Sequence, residues 1–124
     1  MSDNIRLSSV TLNCPEATAL AAFYAAITGG EITFSHYTFA TVLSPGGRID
    51  FQTVKGYVAP SWPDESSAAL IHLDFLVDDL APSEAHVLSC GATKFDVQPN
   101  SEHCLVFADP VGHPFCLTTI DELS

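Results

Sequence analysis

At 124 residues the chain is long enough for one compact domain and too short for two of ordinary size, and its 47% hydrophobic content can bury a core, which excludes disorder as the default. Four basic residues face fifteen acidic ones, for a formal net charge of −11. Without clustered Lys and Arg to replace counterions, nucleic acid and anionic membrane are excluded as partners.

The N-terminus, Met1 to Arg6, is polar and leads into no long apolar segment, so no signal peptide is expected. No stretch approaches the ~20 apolar residues of a membrane helix. Cysteines 14, 90, 104 and 116 form no CxxC pair and read as reduced core thiols of a cytoplasmic protein. Arg6 to Cys14 alternates, Ser9, Thr11 and Asn13 against Val10, Leu12 and Cys14, which predicts a half-buried strand. Pro15 and Glu16 suit a helix first turn. Leu20, Phe23, Tyr24 and Ile27 then give one apolar helix face, which Gly29-Gly30 ends. Strands are expected at about 31–35, 38–43 and 48–54, with Ser44-Pro45-Gly46-Gly47 as a turn.

The segment KGYVAPSWPDESS (55–67) reads as a linker, and after it the pattern restarts. Ile71 to Val77 alternates, with His72 and Asp74 on the face opposite Ile71, Leu73, Phe75 and Val77. Asp78 or Asp79 can cap a second helix that tolerates Pro82 in its first turn and ends at Gly91. Strands are expected at about 93–97, 104–108 and 114–119. The order strand, helix, three strands therefore occurs twice, with Ser9–Cys14 lying over His72–Val77. The predicted fold is α+β: module one at 6–54, linker at 55–67 and module two at 68–119.

Four segments in this order, AAFYAAITGGEI (21–32), IHLDFLVDDL (71–80), SCGATKF (89–95) and ADPVGHPFCL (108–117), make the chain resemble the vicinal oxygen chelate superfamily. That superfamily includes glyoxalase I, bleomycin-resistance proteins, extradiol dioxygenases and fosfomycin-resistance enzymes. FQTVKGYVAPSWPDE (51–65) further resembles a glyoxalase-like subgroup common in actinobacteria. The resemblance implies two tandem βαβββ modules whose curved sheets surround a cleft, with the helices outside. It also implies metal ligands on the first and last strand of each module.

His72 matches the first-strand ligand of module two. Ser9 stands at the equivalent place in module one, where it is a poor ligand. Asp50 or Gln52 falls where module one's last strand carries a Glu, and Cys116 falls at the corresponding place in module two. This set, one His with Asp50 or Gln52, predicts no resident metal. His72 and Asp74 remain an acid/base candidate pair, since a histidine beside a carboxylate suits proton transfer. The predicted ligand pocket comprises Thr11, Asn13, Phe39, Gln52, Trp62, His72, Phe107 and Cys116, aromatic walls around a few polar groups. Two functions follow. One is a binding protein like those of bleomycin resistance, taking a neutral or cationic organic ligand. The other is a metal-dependent or His-based lyase or isomerase. A homodimer is expected, because exposed strand edges need cover.

Overall fold

A computed structural model describes residues 4–62 and 71–120. The chain divides into two compact units, Met1–Tyr57 and Val58–Ser124. The expected linker continues outside the described residues at 63–67, as does the expected start of module two at 68–70.

In module one the alternating first segment forms β1 (Val10–Cys14), shorter at its start than predicted. It is followed by α1 (Ala17–Thr28), β2 (Glu31–His36), β3 (Phe39–Ser44) and β4 (Gly47–Thr53). The sheet order is β1-β4-β3-β2, with β1 parallel to β4 and the other pairs antiparallel. Pro15 and Glu16 lie outside α1 because Glu16 is extended, at φ −151°. The first orphan N–H of the helix, on Ala17, is instead satisfied by Thr53 Oγ1 at 2.8 Å. Gly29 ends α1 in the left-handed region at φ 72°, where a side chain would be strained. Gly30 is required for a different reason: a Cβ there would sit 2.7 Å from the Leu43 carbonyl oxygen.

The predicted apolar face of α1 is the buried one. Leu20, Ala21, Phe23 and Tyr24 form the core with Ala40, Val42, Ile49 and Phe51. Tyr24 and Phe51 stack at 5.5 Å. Burying each such side chain contributes about 1.5–3 kcal/mol.

Module two repeats the topology. It consists of β5 (Leu73–Leu76), α2 (Leu80–Cys90), β6 (Thr93–Lys94), β7 (Cys104–Ala108) and β8 (Pro114–Thr118), in sheet order β5-β8-β7-β6 with β5 parallel to β8. Asp79 occupies the N-cap position of α2, Pro82 is its third residue, and Gly91 ends it at φ 116°. β6 has two residues rather than the expected five. Beyond it the Gln98 amide takes over from backbone pairing, donating to the Phe95 and Val106 carbonyls and accepting from Val106 N–H at 2.8 Å. The core is built on Leu105, Phe107, Phe115, Leu117 and Val87, with Phe107 and Phe115 stacked at 5.6 Å. All four cysteines are free thiols; Cys14 and Cys116 are buried, whereas Cys90 and Cys104 are only half-buried, which corrects the expectation of four core thiols.

Candidate functional site

Each sheet has one face committed to its apolar core and an opposite face carrying the polar residues. In module one, strand register fixes the second set. Thr11 pairs with Asp50 and Asp50 with Thr41, so the three side chains share a face, with Ser9 two residues before Thr11. Asp50 is only 3% exposed, and its charge is fully engaged. Ser9 Oγ donates to Oδ2 at 2.7 Å, while Thr41 Oγ1 at 2.7 Å and Arg48 Nε at 2.9 Å donate to Oδ1. Burial raises the cost of the carboxylate charge. The bonds from Arg48, Ser9 and Thr41, with the Arg48 charge, outweigh it and hold Asp50 below the usual carboxylate range.

Beside this network, module one opens into a cavity of about 520 Å³ lined by Thr33, Phe34, Phe39, Thr41, Leu43 and Arg48. Phe34 and Phe39 face each other across 6.4 Å. Phe39 was expected in the pocket; Phe34, Thr41 and Arg48 were not. Arg48 was open to detection, since it stands two residues before Asp50 on one strand and so shares its face. Thr11, Asn13 and Gln52 are exposed on the same face and do not line this cavity.

In module two, parallel register pairs Asp74 with Cys116. His72 lies two residues before Asp74 and turns its Nε2 onto Asp74 Oδ1 at 3.1 Å. The candidate ligand atoms of His72, Asp74 and Cys116 all lie within 4.8 Å of one another. His72 and Asp74 are about half exposed, at 47% and 56%, whereas Cys116 is buried. Burial pushes the Cys116 thiol well above its ordinary value, helped by hydrogen bonding to Cys104 and by the charge of Asp74. The sequence reading did not single out Cys104, whose placement beside Cys116 depends on the antiparallel register of β7 and β8.

Two expected pocket residues have aromatic partners of their own. Phe107 is fully buried and pairs in register with Phe115, so it belongs to the core face rather than the polar one. Its strand, CLVFA, is apolar on both faces, so the alternation that placed His72 gives no side for Phe107. Trp62 packs on Phe95 at 4.8 Å. Asp50, expected with Gln52 as the alternative partner of His72 in any metal site, has its oxygens taken by three donors of its own module.

The donor sets decide which module fits the divalent ion that the resemblance implies. Module one offers a hydroxyl and a carboxylate already satisfied by three hydrogen bonds, a poor fit. Module two brings imidazole, carboxylate and thiol together, a set suited to a tetrahedral ion of intermediate softness.

Comparison with known proteins bears on the same residues. The sequence model of the glyoxalase-like domain matches residues 9–118. No curated protein sequence gives a significant match. Among solved structures, the chain is similar to a point mutant of the fosfomycin resistance protein FosX from Listeria monocytogenes complexed with Mn(II) and 1S,2S-dihydroxypropylphosphonic acid. That match has TM-score 0.71 and 18% identity, covering 94% of this chain and 90% of that one. A glyoxalase-related enzyme from Fulvimarina pelagi matches at TM-score 0.68 and 17% identity over 91% and 86% of the two chains. A glyoxalase/bleomycin resistance protein from Albidiferax ferrireducens matches at 0.64 and 17% over 90% and 96%. At these identities the structural likeness establishes the fold. Among the described residues no helix is long and apolar enough to cross a membrane.

Proposed function

The chain belongs to the glyoxalase-like domain family, and from that premise we propose that it is a small-molecule-binding protein of the bleomycin-resistance kind. Its ligand is a neutral or cationic organic molecule. The observation that carries this reading is the Asp50 network. Ser9, Thr41 and Arg48 turn the ligand position of module one into a closed structural cluster, so the Asp50 carboxylate is committed to hydrogen bonds rather than to a metal. The adjoining cavity keeps aromatic walls, and its one cation among the described residues, Arg48, is already neutralised by Asp50, so it offers little to a phosphonate. A cytoplasmic homodimer, within the actinobacterial glyoxalase-like subgroup suggested by residues 51–65, completes the proposal.

A matched series tests it: indole, tryptamine and indole-3-acetate share one ring system and differ in charge. Titrations followed by backbone amide shifts should show indole and tryptamine saturating at concentrations several-fold lower than indole-3-acetate. Phe39→Ala should weaken both. Tightest binding by the anion, or no saturation by any of the three at millimolar concentration, contradicts the reading.

A second reading has its own observation, the His72–Asp74–Cys116 cluster, and makes the chain a metal-dependent or His-based lyase or isomerase. His72, Asp74 and Cys116 would hold the ion, which would supply Lewis acidity toward a substrate oxygen. Without it, the imidazole, oriented by the Asp74 carboxylate, can exchange a proton with a bound molecule through its ring nitrogens.

A further inference from the structure

We propose that a β-bulge at Thr33 and the carboxylate of Glu31 make the module one cavity selective for an organic ammonium ion over its neutral analogue. The flat body of the ligand lies against Phe34 and Phe39, and its ammonium group reaches Glu31. The inference rests on the small-molecule reading and narrows its ligand from neutral or cationic to cationic. Every residue it uses belongs to module one.

Strand register carries the proposal. Phe39, Thr41 and Leu43 alternate along β3 and all three line the cavity, so they define its face of the sheet. In β2, Ile32 pairs with Val42 and Phe34 with Thr41, and the register shifts between the two pairs. Thr33 is the extra residue of that bulge. Without it Phe34 would fall opposite Ala40, on the face buried in the core. The bulge turns Phe34 onto the cavity instead, where 54% of it is exposed and its ring faces Phe39 across 6.4 Å. Leu43, on the same cavity, is also exposed. Apolar side chains held out of the core around a cavity are surface that a flat organic molecule can cover.

Charge sets the selectivity. Glu31 pairs with Leu43, so its side chain stands on the cavity face, at the end where Leu43 lies. Such cross-strand partners have Cβ atoms about 4.5–5.5 Å apart. Glu31 is exposed, and no hydrogen bond or ion pair to another described residue engages its carboxylate. Arg48 is paired with Asp50 at 2.9 Å, so those two charges cancel and Glu31 leaves the site one negative charge among the described residues. An ammonium group is attracted there both by that carboxylate and by the negative face of a phenyl ring within about 6 Å. A neutral ligand has the apolar contact alone. Thr41 and Leu43, the partners of Phe34 and Glu31, lie two residues apart on β3, about 6.5–7 Å. An arm of two or three carbons between ring and nitrogen spans that separation.

Indole and tryptamine, titrated against the full chain and followed by backbone amide shifts, test this selectivity. At low ionic strength tryptamine should bind roughly fivefold more tightly than indole, and added salt should reduce that preference. Glu31→Gln should weaken tryptamine roughly threefold and indole far less. Glu16→Gln, which removes the same charge from the N-cap position of α1, should leave both affinities unchanged. Phe34→Ala should weaken both ligands. Equal affinity for the two ligands, with no response to Glu31→Gln, overturns the proposal and leaves the small-molecule reading standing. Equal losses in Glu31→Gln and Glu16→Gln also overturn it, because the preference would then come from the net charge of the chain. Saturation by neither ligand at millimolar concentration overturns both.

Discussion

The two modules place the same four strand positions on their polar faces and fill them with opposite chemistry. Register equates Thr11–Asp50 with Asp74–Cys116, Thr41 with Val106, and Arg48 with Pro114. Module one puts a carboxylate at the centre and surrounds it with donors. Module two puts a thiol there, and the two neighbours that would donate are a valine and a proline. A buried carboxylate without donors would be prohibitively costly, whereas a protonated thiol is not. Module one's Asp50 cluster is therefore closed and structural, and its ligand space is the cavity beside that cluster. The polar face of module two retains ligand capacity directed outward. A repeated fold can thus divide stability and chemistry between its halves.

That contrast can be broken at several points. The most severe substitution should be Phe107→Ala, which removes a ring stacked on Phe115 in the core of module two. A loss of about 3–5 kcal/mol in urea unfolding is expected. A near-neutral result would return Phe107 to the ligand pocket. Asp50→Ala should cost about 2–3 kcal/mol, because Ser9, Thr41 and Arg48 lose a charged acceptor.

The modules should also respond to opposite ends of the pH scale. The carboxyl of Asp50 is held below its unfolded value, so its contribution is present above about pH 3.9 and is lost as pH falls through the lower folded value. Cys116 is raised. Its contribution is complete below about pH 8.5 and declines as pH rises beyond that, where the unfolded chain releases a thiol proton that the folded chain keeps. Asp50→Asn should blunt acid unfolding alone and Cys116→Ser alkaline unfolding alone, as read from melting temperature against pH. Smallest of all is His72→Ala, at about 0.5 kcal/mol or less, since an exposed pair with Asp74 adds little to stability. A loss comparable with that of Asp50→Ala would erase the distinction between a closed cluster and an open one.

Sequence alternation carried the reading wherever one strand face is polar and the other apolar. It placed His72 and Asp74 together, and it set Ser9 and Asp50 each on the non-core face of its own strand. It could not show that Ser9 reaches Asp50, because contact across β1 and β4 depends on a parallel register joining residues 41 apart. For the same reason Cys104 and Cys116 read as separate thiols. In β7 the alternation fails altogether, since five consecutive apolar residues leave the side of Phe107 undefined. The shortened β6 was equally hidden, because a glutamine amide standing in for a backbone ladder has no periodic signature.

The measurement that addresses the division between modules most directly is anomalous diffraction at the zinc edge from crystals grown with zinc. One peak bonded to His72 Nε2, Asp74 and Cys116 Sγ, with Asp50 still held by Ser9, Thr41 and Arg48, is the predicted result. A peak ligated by Asp50 would contradict it, because the carboxylate would then have left the three donors that hold it.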